Sequence, residues 1–401
     1  MVSANWDGLI ESAVRELAGP AADHALGVCV LARDLQDEQG RATLYKIHGC
    51  AVLAKQDEAD YRSLLIGRVR QIAGWPAGLS SDAAKARLID LARTKRTFMV
   101  GLSAQDSNIQ FIFGQDADNV VWSWPCDPPS HVFAEQSIGD SQRLLLQLAY
   151  GDAYDDYRDE IEAAALLQAF AKPVLVALVL DLLASKVISC LDAAAGWDDE
   201  RRAGLTSGVL RLRDLAATAA DGDRLEFARL LIAHVSRAVA YFKDGRALAP
   251  DGATYRALYP APLAQIENDP DLVGSGLVGL AAALGVIGVG SANAHWEVQP
   301  ADLGERDGVL RLSASSAARV YFAANQGAAA ELISSVIDPD GAEDAVVINS
   351  LSAIQRQTRS PGATIGRVGG SVAHEVGMAD LLDECTSMDQ LVQRMREEVG
   401  V

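Results

Sequence analysis

Short apolar runs alternate with amphipathic segments over the first 125 residues of the chain. The apolar runs are LGVCVLA at 26–32, ATLYKIH at 42–48, TFMVGL at 97–102 and NVVWSW at 119–124. Their length and composition predict buried strands. Apolar residues recur at helical spacing between them, in the segments 8–18, 57–73 and 81–95. This alternation is typical of α/β layering around a mainly parallel sheet.

The pattern changes to helices from about residue 140 to 295, for example where apolar positions from Leu225 to Phe242 form one helical face. Beyond residue 305, the runs GVLRLSAS, ARVYFAA and DAVVINS predict strands, followed by a helix at about 378–397. A chain of 401 residues exceeds the size of one hydrophobic core. We therefore predict an α/β domain at 1–140, a mostly helical region at 141–300 and a small α+β region at 301–401.

The stretch 272–296 carries no charged side chain and is long enough to span a bilayer. Its many glycines and alanines make it only weakly lipophilic, and no basic cluster flanks it. A buried, closely packed helix pair therefore fits better than a membrane span. A membrane-active protein built around this stretch is the third and weakest hypothesis for function.

Charge and cysteine spacing exclude several classes of protein. The formal net charge of -19 repels nucleic-acid phosphates, and no basic patch offsets it, so direct nucleic-acid binding is not expected. The five cysteines lack the paired spacing of a zinc site, so no zinc is expected. The start of the sequence lacks the basic and apolar pattern of a secretory signal, which makes the cytoplasm the expected location.

Three short stretches each lie just beyond a predicted strand: SANWD at 3–7, KIHG at 46–49 and GLSAQD at 101–106. In an open α/β sheet, ligands bind outside the carboxyl ends of the strands. Residues from three such ends can therefore meet in one crevice. Taken singly, each stretch is explained as well by helix capping or by a structural histidine.

The order of these stretches resembles the sirtuin-like family, in which Thr-x-Asn-x-Asp, Lys-x-His-Gly and a later Gly-x-Ser loop surround bound NAD. The resemblance covers roughly residues 1–125 and corresponds to the carboxyl-terminal half of the family's domain. It implies a partial Rossmann-like parallel sheet with helices. It implies that Asn5 and His48 are the pair at the nicotinamide ribose, and that Asp7 is the neighbouring NAD-binding carboxylate. Ser3 replaces the family's usual threonine and keeps a hydroxyl.

By the same resemblance, Gly49 belongs to the NAD-binding set, and Gly101 and Ser103 form the loop near the adenosine ribose. The loop reads Gly-x-Ser-x-x-Asp, as in the bacterial antiphage defence branch, which adds Asp106 to the NAD-binding residues. Asp106 and Asn108 are explained equally well as residues that begin a helix.

The resemblance implies that NAD is a substrate, cleaved between nicotinamide and ribose. Loss of nicotinamide leaves positive charge on the ribose, as in the oxocarbenium-like state of glycoside cleavage. A neutral His48 can act as a base toward a ribose hydroxyl or an attacking water, and Asn5 can orient that water or the nicotinamide amide. Deacylating sirtuins carry a four-cysteine zinc ribbon, so the cysteine spacing here argues against protein deacylation.

The family's Gly-rich phosphate-binding half would precede Asn5, whereas this sequence opens at the Asn-x-Asp stretch. The glycines at 288–291 and 366–371 lack the expected strand–turn–helix context. An internal start site, an expressed fragment and a second polypeptide that supplies the missing half are all open explanations. If the chain is complete, weak or no NAD binding is expected, because phosphate contacts supply much of the affinity for a dinucleotide.

Two hypotheses for function lead. The first is an NAD-cleaving defence effector that forms a homo-oligomer or acts with a partner defence protein such as an ATPase. The second is a catalytically incomplete interaction or scaffold subunit of a multi-chain complex. An exposed edge of a truncated sheet would favour pairing with another chain in either case.

Overall fold

The structure of the chain is a computed structural model. It describes residues 1–19, 22–37, 42–77, 82–114, 121–194, 196–220, 223–247, 255–302, 308–337, 343–351, 363–367 and 372–401. Contacts divide the chain into two units, residues 1–175 and 176–401. The predicted α/β fold class is confirmed, with small parallel sheets first, a helical middle and a mixed sheet last. The division into three regions with boundaries near 140 and 300 stays a prediction.

The first unit contains two three-stranded sheets, in the orders β1-β3-β2 and β4-β5-β6, and its strand pairings are parallel. The strands are β1 (Val2–Ser3), β2 (Leu26–Cys29), β3 (Ala42–Lys46), β4 (Thr97–Val100), β5 (His131–Ala134) and β6 (Leu166–Leu167). The helices are α1 (Leu9–Ala18), α2 (Ala22–Ala25), α3 (Ala51–Gln56), α4 (Glu58–Tyr61), α5 (Val69–Gly74), α6 (Asp82–Thr94), α7 (Ser107–Gly114), α8 (Asp140–Tyr150), α9 (Asp152–Ala165) and α10 (Ala171–Asp192), which continues into the second unit.

One apolar core joins the two sheets of the first unit. Tyr45 from β3, Met99 from β4 and Phe133 from β5 are buried in it together with apolar residues of α6, α7, α8 and α9. Burial of such side chains is the main favourable contribution to folding. The two sheets therefore belong to one packed α/β unit.

Three of the four strands predicted in this region are confirmed, at 26–29, 42–46 and 97–100. The strand predicted at 119–124 is wrong for residues 121–124, and residues 119–120 lie outside the described part of the chain. The Trp122 N–H donates to the Ala149 carbonyl at the end of α8 (2.8 Å), and the Trp122 and Trp124 rings pack against the core. These apolar residues therefore pack against a helix and do not pair in a sheet.

The helix predicted at 57–73 is interrupted. Residues 58–61 and 69–74 are α-helical, with a short 3-10 turn at 62–64. The chain leaves the helix where the Ile66 N–H donates to the His48 carbonyl at 3.0 Å. The segment around Ile66 thus bonds to the chain after β3 and does not continue the helix.

The second unit has a six-stranded sheet in the order β11-β12-β10-β9-β8-β7. Its strands are β7 (Glu297–Pro300), β8 (Leu310–Ser313), β9 (Ala317–Ala323), β10 (Asp344–Asn349), β11 (Ala363–Arg367) and β12 (Val372–Gly377). Its helices after α10 are α11 (Asp199–Ala219), α12 (Arg224–Asp244), α13 (Leu263–Ile266), α14 (Leu277–Ala292), α15 (Gln326–Glu331), α16 (Met378–Glu384) and α17 (Met388–Val399). The predicted closing helix is therefore two helices, and the Ser387 side chain caps the second by accepting from the Gln390 N–H.

The sheet of the second unit is mixed. β9, β10 and β12 are parallel, whereas β7–β8, β8–β9 and β11–β12 are antiparallel pairs. Val320 and Phe322 of β9 join a cluster with α11, α14 and α17, and the alternate residues Tyr321 and Ala323 join a second cluster with α12 and α15. Helices therefore cover both faces of the sheet.

The uncharged stretch 272–296 forms one helix, α14, whose 16 residues are mostly buried in the second unit. It packs closely against α11, because a Cβ added to Gly208 would lie 1.9 Å from the Gly285 carbonyl oxygen. The prediction of a buried, closely packed helix pair is confirmed in part, because the stretch supplies one of the two helices and α11 supplies the other. Of the described helices, one meets the length and apolarity of a membrane span: α10, with 39% of its most apolar stretch buried.

Candidate active site

The first two motif stretches leave neighbouring strands at the same edge of the sheet. β1 and β3 are parallel, with Val2 opposite Tyr45 and Ser3 opposite Lys46. The carboxyl ends of parallel strands lie side by side, and ligands of open α/β sheets bind there. The segments that carry Asn5 and His48 therefore start from adjacent positions.

Two polar groups of the first stretch hold the local backbone. The Ser3 hydroxyl accepts a hydrogen bond from the Asn5 N–H at 3.1 Å, and the Asp7 carboxylate accepts one from the Leu9 N–H at 3.1 Å at the start of α1. These are local turn bonds typical of serine and aspartate. The Asn5 side chain is exposed and accessible to a ligand.

Lys46 is buried between the two stretches, with 3% of its surface exposed. Its ammonium lies 2.6 Å from the Glu11 carboxylate and also donates to the Asp7 carbonyl. The Cys50 thiol donates to the same Glu11 oxygen at 3.6 Å. Since Glu11 balances its charge, Lys46 ties β3 to α1 and has a structural role. The sequence offered no sign of Glu11, because the pairing depends on how α1 packs on β3.

Both ring nitrogens of His48 have hydrogen-bond partners within the protein. Nδ1 lies 2.9 Å from the Ala4 carbonyl oxygen, and Nε2 lies 3.2 Å from Nδ2 of Asn108. A carbonyl oxygen only accepts, so Nδ1 carries the proton and Nε2 accepts from the Asn108 amide. His48 is 7% exposed and Asn108 is fully buried. The neutral ring is therefore held between the first stretch and α7.

Gly49 is required by its backbone. Its φ of +84° lies in the left-handed region, and an added Cβ would lie 2.6 Å from the Leu64 carbonyl oxygen. A side chain there would be strained and would overlap the backbone. The resulting sharp turn directs the chain from His48 into α3.

The third stretch follows β4 in the other sheet of the unit. Gly101 adopts a φ of +63° and Ser103 is exposed, whereas the Asp106 carbonyl accepts from two N–H groups in the first turn of α7. Gln142 of α8 donates to the Leu102 carbonyl at 2.9 Å and holds the loop. The helix that follows this stretch, α7, brings Asn108 to His48. In the part of the chain that the structure describes, neither Ser103 nor Asp106 is hydrogen-bonded to His48.

Residues 1–120 match the family described as a SIR2-like domain. The first part of the chain is a SIR2-like domain. This agrees with the resemblance seen over roughly residues 1–125 and is consistent with an NAD-related function. No curated protein and no solved structure matches the chain.

The SIR2-like domain contains a cavity of ≈ 310 Å³ beside Gly49. Its walls come from the ends of β2 and β3, the segment 63–66, and helices α5 and α6, and include Tyr45, Gln71 and Trp75. Small-molecule sites usually have volumes of about 300–1,000 Å³, so this cavity is at the small end of that range. The His48 side chain does not line it.

Asn108 is the site residue that sequence reasoning left undecided. It lies on the same buried face of α7 as Ile112, four positions later. An asparagine at an apolar-facing helical position needs a polar partner, and this is the signal that favours a specific contact over capping.

The later glycines have other environments. Residues 288–291 lie inside α14, where Gly288 packs against Gly208. Of 366–371, residues 368–371 lie outside the described part of the chain, and 366–367 end β11. The stretch at 288–291 is therefore a helix-packing element and not a phosphate-binding turn.

Proposed function

We propose that the SIR2-like domain binds NAD and cleaves the bond between nicotinamide and ribose. The observation that carries this proposal is the position of the Asn5 and His48 stretches at adjacent carboxyl ends of β1 and β3. Within a SIR2-like domain, this arrangement supports a shared role at the nicotinamide ribose.

The state of His48 suits the role of a base. With Nδ1 bound to the Ala4 carbonyl, Nε2 is the nitrogen that can accept a proton from a ribose hydroxyl or from water. The Ala4 carbonyl continues to accept from Nδ1 when the ring becomes positively charged. The exposed Asn5 carboxamide can donate and accept hydrogen bonds, and so can orient a water molecule or the nicotinamide amide.

The same proposal includes a cytoplasmic role in bacterial antiphage defence, with the chain as a homo-oligomer or with a partner defence protein such as an ATPase. What supports it is the Gly-x-Ser-x-x-Asp form of the loop that begins at Gly101. Such an effector would deplete NAD in the infected cell. The residues beyond the SIR2-like domain would sense the infection or assemble the oligomer.

Incubation of the purified chain with NAD tests the activity. We expect nicotinamide and ADP-ribose to appear in equal amounts, and Asn5→Ala to lower the rate. If neither product forms at any protein concentration while calorimetry detects NAD binding, cleavage is refuted and binding stands.

The second candidate is a non-catalytic interaction or scaffold subunit. The observation that favours it is the engagement of both His48 ring nitrogens by the protein itself. This candidate predicts that NAD is neither bound nor cleaved and that the isolated chain associates with copies of itself or with another chain. Calorimetric titration of the chain with NAD separates the two candidates, because only the first predicts NAD binding.

A further inference from the structure

The His48–Asn108 contact joins residues 60 positions apart in the sequence. It connects the loop after β3 with α7, and both side chains are almost completely removed from solvent. A buried carboxamide placed on a histidine nitrogen restricts which of the two nitrogens carries the proton. The contact therefore bears directly on the atom that the proposed reaction needs.

Two hydrogen-bond partners together determine which ring nitrogen carries the proton. The Ala4 carbonyl requires a proton on Nδ1, and the Asn108 amide donates to the lone pair of Nε2. The alternative neutral form, with the proton on Nε2, would face the Asn108 N–H with another N–H and the Ala4 carbonyl with a lone pair. Both contacts would then be repulsive. Only the Nδ1–H form satisfies both partners.

We infer that Asn108 is a positioning residue for His48, which selects the Nδ1–H tautomer and holds Nε2 as the proton-accepting nitrogen. This inference rests on the proposed function. In the resting protein Asn108 hydrogen-bonds the Nε2 lone pair, and a ribose hydroxyl or water takes this place during the reaction. That hydroxyl's proton then moves to Nε2, its oxygen keeps the electron pair, and the ring becomes imidazolium.

The carboxamide oxygen of Asn108 also supports a positioning role toward His48. This oxygen, Oδ1, is buried and has no hydrogen-bond partner among the described residues. Once the reacting oxygen has left, rotation of the carboxamide by half a turn would bring Oδ1 toward the ring, where it can accept from a protonated Nε2. One residue can thus hold both the neutral ring and the imidazolium, which an apolar or purely acidic side chain cannot do.

The segments that hold the ring carry four charged residues. Lys46 ends β3 and is paired with Glu11 of α1, Asp7 accepts from the Leu9 N–H of α1, and Asp106 directly precedes α7. An Asn108→Asp substitution leaves all four in place and changes only the partner of Nε2. Any change in the protonation of His48 is then assigned to position 108.

Nitrogen NMR of the histidine rings at pH 7.5 tests the inference without NAD. In the unchanged protein we expect His48 to show a protonated Nδ1 and an unprotonated Nε2. In Asn108→Asp, a carboxylate that only accepts should leave both nitrogens protonated. Asn268→Asp adds the same charge at an exposed position of the second unit and should match the unchanged protein. A protonated Nε2 in the unchanged protein, or an unaltered ring in Asn108→Asp, would overturn the inference.

The pH dependence of NAD cleavage gives the second readout. Because the base must be unprotonated, Asn108→Asp should move the acidic limb of kcat/KM to higher pH by about one unit or more, a tenfold loss at low pH. A loss that is equal at every pH would show a merely structural role and would contradict the inference. If NMR gives the expected tautomer but no NAD is cleaved, the proposed function fails and the assignment of Asn108 stands. If Asn108→Asp does not fold, the tautomer in the unchanged protein decides alone.

Discussion

Lys46 and Glu11 form an ion pair of 2.6 Å between the strand that leads to His48 and the helix that follows Asn5. The side chains are 1% and 12% exposed. The lysine of the Lys-x-His-Gly stretch therefore holds the two loops together, and its charge is not directed at a ligand.

Lys46→Met should destabilise the first unit by about 3 kcal/mol, because it leaves the Glu11 carboxylate buried without its partner. Urea denaturation measures the change. The exposed Lys55 on α3 offers a matched control, and Lys55→Met should change the unfolding free energy by less than about 0.5 kcal/mol. Equal effects of the two substitutions would contradict a structural role for the pair.

Gly49→Ala should be costlier than Gly101→Ala, although both glycines have positive φ. An alanine at 101 would meet open space and bear only the backbone strain of about 1 kcal/mol, whereas one at 49 would also overlap the Leu64 carbonyl. Gly67→Ala, with open space and no positive φ, should be nearly neutral. The melting temperature should be lowest for Gly49→Ala, intermediate for Gly101→Ala and highest for Gly67→Ala. A Gly49→Ala protein as stable as Gly101→Ala would refute the close approach of residue 49 to the Leu64 carbonyl.

Gly208→Ala should disrupt the packing of α11 on α14, because its Cβ would lie 1.9 Å from the Gly285 carbonyl oxygen. The helices would have to separate, and overpacking of a core usually costs about 1–3 kcal/mol or more. Gly274→Ala is the control, since its Cβ would have nothing within 4 Å. Unfolding followed by circular dichroism should show a lower midpoint for Gly208→Ala alone.

Burial lowers the pKa of His131 to about 4 from its usual value of 6.5. Between these two pH values the unfolded chain binds the proton and the folded chain does not, so stability falls as the pH drops from about 6.5 to about 4. The full loss is about 3 kcal/mol. Denaturation at several pH values should show that His131→Asn removes this part of the pH dependence, whereas exposed His24→Asn keeps it. Parallel curves for the unchanged protein and His131→Asn would contradict the argument.

The elements that the sequence predicted correctly are those with a strong local pattern. β2, β3, β4 and the long helix α12 follow from runs of apolar residues with clear period. β1 has two residues and β6 has two, too few for a pattern to be seen. The segment 121–124 has a strand-like composition, but its tryptophans pack on α8, which only the tertiary fold determines.

The candidate site divides in the same way. The side-by-side position of the segments that carry Asn5 and His48, after the parallel strands β1 and β3, could be expected from the order of motifs that resembles the sirtuin-like family. The partners Glu11 and Asn108 could not, since they reach the site from α1 and α7 through helix packing. Short motifs thus located the strand ends, and the hydrogen bonds that fix the histidine depend on contacts distant in sequence.

Release of nicotinamide from NAD by the unchanged protein, His48→Ala and His24→Ala tests the central claim most directly. Loss of a general base usually lowers a rate by about 10²–10⁴-fold. We predict at least a hundredfold loss for His48→Ala and an unchanged rate for His24→Ala, whose imidazole is exposed in the same unit. Equal rates for all three proteins would contradict the claim that His48 is the base.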